Sequence, residues 1–265
     1  MTTTSHITAL NRAAWNASAV HHASGPMWEA NCAMAREGTS VLDATLTQAL
    51  RTAGVTGARL VQVGCNNGRE VLSAMALGAA EGWGIDQSEA FLAQATKLAA
   101  MSPFDPQFLN ADIYDLPEDA PHAFDIALIT VGVLNWMPDL PVFFAAVASL
   151  LRTGGQVVIY ETHPMLEMFD PHGDDPFALA DSYFRKAPHV ETQAITYDGT
   201  VVEGAPELHW FPHTLSTIVQ SAIDAGLTLC QLTEYPHSIR EVEYDLYEGR
   251  EPQVPMSFLL RATRS

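Results

Sequence analysis

The run Phe124-Asp125-Ile126-Ala127-Leu128-Ile129-Thr130-Val131 is β-rich and nearly unbroken in hydrophobicity, and it ends at Gly132. A half-solvated strand would alternate apolar and polar residues. A continuous apolar run of this length reads instead as a central parallel strand covered on both faces. Its neighbours follow from the same signal. Short apolar segments at 60–63, 82–85, 107–110 and 156–160 alternate with helical patterns that start near Arg69-Glu70, pass through Phe91 and Ala95, and span 139–152, where Gly154-Gly155 closes the last one. Strands alternating with helices imply a parallel sheet joined by right-handed crossovers.

The flanks break this rhythm. Residues 1–55 read as a helical cap, with Leu10, Ala14 and Trp15 on one face, Val41, Ala44 and Leu50 on another, and a break at Ser24-Gly25-Pro26. The main domain is then 56–265. Within it, 162–212 is rich in Pro, Asp, His and aromatic residues and reads as an inserted cover. Asp198-Gly199, between 193–197 and 200–202, signals a hairpin turn inside that cover. A helix over 214–225 resumes the layer, and strands near 227–233 and 256–263 close the chain around an acidic, Tyr-rich loop.

Charge narrows the partners. Thirteen Lys and Arg against 31 Asp and Glu give a net charge of −18, with no cluster of basic residues. Phosphate backbones and anionic lipid surfaces would be repelled, so nucleic acid and membranes are excluded as expected partners. The three cysteines, Cys32, Cys65 and Cys230, are too scattered for a disulfide framework. The first residues carry no basic start and no long apolar run follows, so a cytoplasmic protein is expected.

In an open parallel sheet, ligands bind beyond the carboxyl ends of the strands. Four such ends here are polar or glycine-bearing: Gly64-Cys65-Asn66-Asn67-Gly68, Asp86, Asp112 and Val131-Gly132. Glycine lets a ligand approach the main chain, and the helix start behind it offers amide N–H groups. Asp86 stands 18 residues beyond Gly68, where a carboxylate can accept hydrogen bonds from two ribose hydroxyls.

On these residues the sequence resembles the class I S-adenosylmethionine-dependent methyltransferases, specifically the small bacterial type related to the ubiquinone-biosynthesis enzymes. The resemblance covers roughly 59–160. It implies a Rossmann-like methyltransferase fold, an α/β architecture with a seven-stranded, mostly parallel sheet, an antiparallel last strand and a lid insertion after the fifth. It implies S-adenosylmethionine as cofactor. Gly64, Cys65, Asn66, Asn67 and Gly68 would hold its methionine part, Asp86 and Gln87 the ribose, Asp112 and Ile113 the adenine, while Val131, Gly132 and Asn135 would lie beneath the sulfonium. Two positions depart from the pattern: Gln62 replaces an acid, and Asn66 replaces a glycine.

Glu161 and His163, at the end of the fifth strand, are the candidate proton acceptors, and Trp15 with His21 and His22 a candidate wall over the cofactor. His172-Gly173-Asp174-Asp175 reads as a solvated turn, so no metal is expected, and Cys65 as packing. The aromatics of the cover, Phe169, Phe177, Tyr183, Phe184, Tyr197, Trp210 and Phe211, with Tyr235, Tyr244 and Tyr247 of the late loop, suit a small apolar or aromatic acceptor. Two other readings stay open: a methyltransferase-like cofactor binder without turnover, and an NAD-dependent oxidoreductase. The latter needs a middle glycine that Gly64-Cys65-Asn66-Asn67-Gly68 lacks.

Overall fold

In the computed structural model, which describes residues 3–197, 200–239 and 242–265, the amino-terminal cap is α1 (Thr4–Ser18), α2 (Gly25–Glu37) and α3 (Ala44–Thr52). Ser24-Gly25-Pro26 does not merely end one helix. It starts the next, with Ser24 at the cap and the proline in the first turn. The alternating unit then runs β1 (Arg59–Val63), α4 (Arg69–Ala76), β2 (Glu81–Asp86), α5 (Glu89–Met101), β3 (Gln107–Asn110), β4 (Phe124–Thr130), α6 (Leu140–Leu150) and β5 (Leu151–Thr162). The cover contributes β6 (His189–Gln193) and β7 (Glu203–Trp210). The chain closes with α7 (Leu215–Asp224), β8 (Leu227–Tyr235) and β9 (Ser257–Arg264).

The seven-stranded sheet has the order β3-β2-β1-β4-β5-β9-β8, and β9 runs antiparallel to both of its neighbours. The apolar runs are explained by burial on both faces. Val61, Ala127, Ile129, Val157 and Ile159 enter the core beneath α6 and α7, whereas Leu60, Ile126, Leu128, Val158 and Tyr160 pack with Leu46 and Leu50 of α3. Helix starts are fixed by side-chain caps: Asp43 accepts from the Leu46 N–H, Ser88 from Phe91, Asp139 from Val142 and Thr214 from Thr217.

Two expectations need correction. The helix expected over 139–152 ends at Leu150, and Gly154-Gly155 lie inside β5, because Leu151 already pairs with Phe124 across a register shift. The hairpin of the cover exists, but its strands lie outward of the segments expected. Ala194 and Val202 share one backbone bond beyond the strand ends, and the turn at Asp198-Gly199 lies outside the described residues. Among the described residues no helix is long and apolar enough to cross a membrane.

Candidate active site

Sheet winding reverses between β1 and β4, the point at which an open parallel sheet forms a crevice. The turns leaving these two strands meet there. A Cβ built on Gly64, at φ +67°, would come within 2.9 Å of the Val133 side chain. On Gly68, at φ +74°, it would come within 2.9 Å of Phe108. Only glycine serves both positions, since the backbone is left-handed and the space is taken. Asn66, at φ 51°, shows that asparagine meets the same backbone demand.

The turn consumes its own amides. Gly64 and Cys65 donate to the Ile85 carbonyl, Asn67 to the Asn66 side chain and Gly68 to the Cys65 carbonyl. The Asn66 N–H donates to Asp86 Oδ2 at 2.7 Å, and the Ser88 N–H to Oδ1 at 2.8 Å. Asp86 therefore ends β2 with a fixed carboxylate that is densely surrounded yet partly exposed, as at the floor of a crevice. Burial raises its pKa, and the amides of Ser88, Asn66 and Gln87 oppose that rise. A carboxylate has about four acceptor positions, so capacity remains for a ligand's hydroxyls. Cys65 is fully buried, and desolvation, reinforced by Asp86 and Glu70, pushes its thiol well up. A thiol so held is not a nucleophile.

The remaining sequence candidates gather at the same end of the sheet. Asp112 accepts from the Tyr114 N–H and borders a cleft of about 400 Å3 shared with Thr3, Ser5, Tyr114 and Asp139, a volume within the range of small-molecule sites. Ile113 is buried in the core behind it. Trp15 of α1 stands edge-on to both Phe91 and Trp136, the residue after Asn135. Asn16, one residue on, accepts from the Ser88 hydroxyl at 2.7 Å and ties α1 to the end of β2. His22 bonds the Ile195 carbonyl of the cover through Nε2, whereas His21 is exposed.

Glu161 and His163 hold different posts from those expected. The Glu161 carboxylate is buried and accepts from the Gly132 N–H, from Val133 at 3.0 Å and from Leu134 at 3.3 Å. It caps the turn leaving β4, with three amides holding both of its oxygens. His163 Nδ1 accepts from the Met165 N–H at 3.0 Å, while Nε2 faces Glu234 Oε1 at 2.8 Å. Burial lowers its pKa despite the Glu234 charge. The ring is thus a neutral tether at the start of a short 3-10 turn, Pro164–Met168.

That turn carries the residue sequence reading overlooked. Glu167 accepts from the Asn135 side-chain amide through Oε1, whereas Oε2 is buried with no hydrogen-bond partner among the described residues. Burial, with the charges of Glu161 and Asp181, pushes its pKa up to about 7, against the opposing Asn135 bond. The available signal was one carboxylate in the otherwise apolar stretch Pro164-Met165-Leu166-Glu167-Met168. His189 and His213 join Glu167 around a small cavity, also unforeseen. Phe169 and Phe177 of the cover meet Tyr247 of the late loop, as does Tyr244; Tyr183 meets Phe184, and Tyr235 meets Tyr160 of β5. Phe184 is 74% exposed. His172 lies 3.2 Å from Glu243, and among the described residues no group of three metal-ligating side chains converges.

Residues 61–159, spanning β1 to β5, match the methyltransferase domain family. A crystal structure of an S-adenosylmethionine dependent methyltransferase from Mesorhizobium loti is 25% identical, with TM-score 0.59, over 82% of this chain and 96% of that one. Over the sheet and its crevice the chain is thus similar to S-adenosylmethionine-dependent methyltransferases. Two curated proteins match part of it. The tRNA U34 carboxymethyltransferase of Idiomarina loihiensis is 31% identical over 40% of this chain and 33% of its own length. The ubiquinone biosynthesis O-methyltransferase of Pseudomonas syringae pv. tomato is 34% identical over 40% of this chain and 44% of its own. The chain thus spans less than half the length of either relative.

Proposed function

We propose that this methyltransferase domain transfers a methyl group from S-adenosylmethionine to a small-molecule acceptor bearing a protic nucleophile, under the cover formed by residues 162–212. The observation that carries the reading is Asp86, a carboxylate at the end of β2 held by two backbone amides, with acceptor positions to spare at the winding reversal. Asp86 and Gln87 would hold the ribose, Asp112 and Ile113 the adenine, and the 64–68 turn with Val131, Gly132 and Asn135 the methionine end. Trp15 would close the crevice.

The cofactor supplies an activated methyl group on a sulfonium. The chain supplies alignment and dryness, and placing two reactants in attack geometry is worth roughly 7–11 kcal/mol. In this scheme Glu161 fixes the turn leaving β4, His163 anchors the segment that follows β5, and α1 with the β6–β7 hairpin excludes water. The identity of one curated relative raises RNA as an acceptor. The chain's net charge of −18 opposes it, because an RNA-binding surface needs cations to replace counterions.

Titration calorimetry with S-adenosylhomocysteine tests the cofactor assignment. Binding is expected in wild type, weakened by roughly 10²-fold or more in Asp86→Ala, since a hydrogen bond to a charged group is worth about 1.5–3 kcal/mol and two are lost. Tight binding of NAD with no affinity for S-adenosylhomocysteine would overturn the assignment in favour of an oxidoreductase. Donor binding with no transfer to any small acceptor would reduce the protein to a cofactor binder.

A further inference from the structure

Under the cover lies a small space of about 10 Å3, bounded by Glu167, His213, Tyr183, Arg185 and His189. It has room for a single water or one ligand hydroxyl. Among the described residues, Glu167 Oε2 at its border is buried without a hydrogen-bond partner, and His189 Nε2 has only the Asp181 carboxylate, at 3.6 Å. A native interior rarely leaves such atoms orphaned unless a ligand or water completes them. The space adjoins the turn leaving β4, because Glu167 bonds Asn135 and His213 Nε2 bonds the Met137 carbonyl at 2.9 Å. His189, on its border, stacks on Trp210 with centroids 4.0 Å apart.

Among the described residues, the charged groups facing Glu167 give its carboxylate no ion-pair partner. Glu161 of β5 and Asp181 of the cover are like charges. Arg185, the nearby cation, is committed to Asp181 and to the Ala187 carbonyl. His189 and His213 both have lowered pKa values, chiefly from burial, and so stand neutral at pH 7. Asn135 steadies one oxygen and leaves the other to act.

We propose that Glu167 is the base that takes the proton from a hydroxyl-bearing acceptor, with the hydroxyl seated against Oε2 in this space. The inference rests on the methyl-transfer reading. In the step, an acceptor oxygen lone pair forms the O–C bond to the methyl carbon and the C–S bond breaks with its electron pair passing to sulfur. The hydroxyl proton moves to Glu167 Oε2. Sulfonium, carboxylate and hydroxyl are replaced by thioether, carboxylic acid and ether, so charge balances within the site.

Two probe phenols separate a base from a merely structural carboxylate. Para-cresol must lose a proton during transfer, whereas para-nitrophenol is already largely ionised at pH 8. Glu167→Gln is expected to slow transfer to para-cresol by roughly 10²–10⁴-fold, the usual worth of general-base assistance. Transfer to para-nitrophenolate should change by less than about tenfold, with donor affinity within about twofold. The wild-type rise of rate with pH through about 7 should vanish in the variant. Equal losses with both phenols, or no loss with either, would overturn the proposal. Wild type that binds the donor but methylates neither phenol would overturn it too, leaving the cofactor assignment standing, whereas failure to bind the donor removes both. If Glu167→Gln loses donor binding by unfolding, Glu167→Asp serves instead. A selective slowing with para-cresol then supports the base, and an equal slowing with both phenols rejects it.

Discussion

The two walls of the crevice are built by opposite means. The wall proposed for the cofactor is main chain: β1, β2, β3 and β4 pair in parallel, and the ends of β1 and β2 are locked by amide bonds to Ile85 and Asp86. The wall proposed for the acceptor is a two-stranded hairpin apart from the sheet, joined to α1 by side chains. Asn11 bonds both the N–H and the carbonyl of His209 at 2.8 Å, and the Ser18 hydroxyl accepts from the Ile195 N–H at 2.9 Å. The cover also leaves Leu179 62% and Phe184 74% exposed, whereas β4 is buried at nearly every position. A wall made of ladder bonds opens only with the sheet. A wall held by a few side-chain bonds can open by itself, as substrate entry past a space of about 10 Å3 requires.

Removing Glu161 breaks the rigid wall most severely. Glu161→Ala strips the acceptor from the Gly132, Val133 and Leu134 N–H groups, two of whose bonds are fully buried. Each buried group left unpaired costs about 1–3 kcal/mol, so a loss of about 3 kcal/mol or more is expected. For a domain of this size that lowers Tm by roughly 6–12 °C in a thermal melt. A melt unchanged within about a degree would mean that the turn leaving β4 supports itself, and the contrast between the walls would fail there.

Glu167 sharpens the contrast through pH. Its pKa is raised from the usual 4.5 to about 7 by burial. The folded state therefore holds this proton more tightly than the unfolded one. The resulting stability is fully present below pH 4.5 and is lost as pH rises through about 7. Glu167→Gln carries no such titration. Relative to wild type it should gain on the order of 1–3 kcal/mol between acidic pH and pH 8, read as diverging denaturation midpoints. Parallel midpoints across that range would show that the carboxylate is better solvated than its setting implies.

The parts of this architecture legible in the residues are those that physics settles locally. The apolar run at 124–131 needs two covered faces whatever surrounds it, and Gly64 and Asp86 announce themselves by backbone freedom and by their place after strands. Less legible were features decided by distant partners. Leu151 leaves α6 because Phe124 pairs with it, which no helix-stop signal in Gly154-Gly155 reveals. Glu161 shows only a carboxylate at a strand end, and its work is with amides 27 to 29 residues earlier. Glu167 gains its character from Asn135, Glu161 and Asp181, none of them within its own turn.

The smallest expected effect falls on the hinged wall. Asn11 is fully buried in α1, and its amide imitates a neighbouring strand by giving one bond and taking another at His209. Asn11→Ala removes both and leaves the β7 backbone there without its lateral partner. Two neutral hydrogen bonds are worth about 1–3 kcal/mol together. Ser18 and His22 still hold the other end of the hairpin at Ile195, so the loss should stay local. Hydrogen exchange at the His209 amide should accelerate by roughly ten- to a hundredfold, while amides of β1 and β4 keep their protection and donor affinity changes less than about threefold. Were protection to fall equally in β1 and β7, the cover and the sheet would open as one unit, and the acceptor would need another route to Glu167.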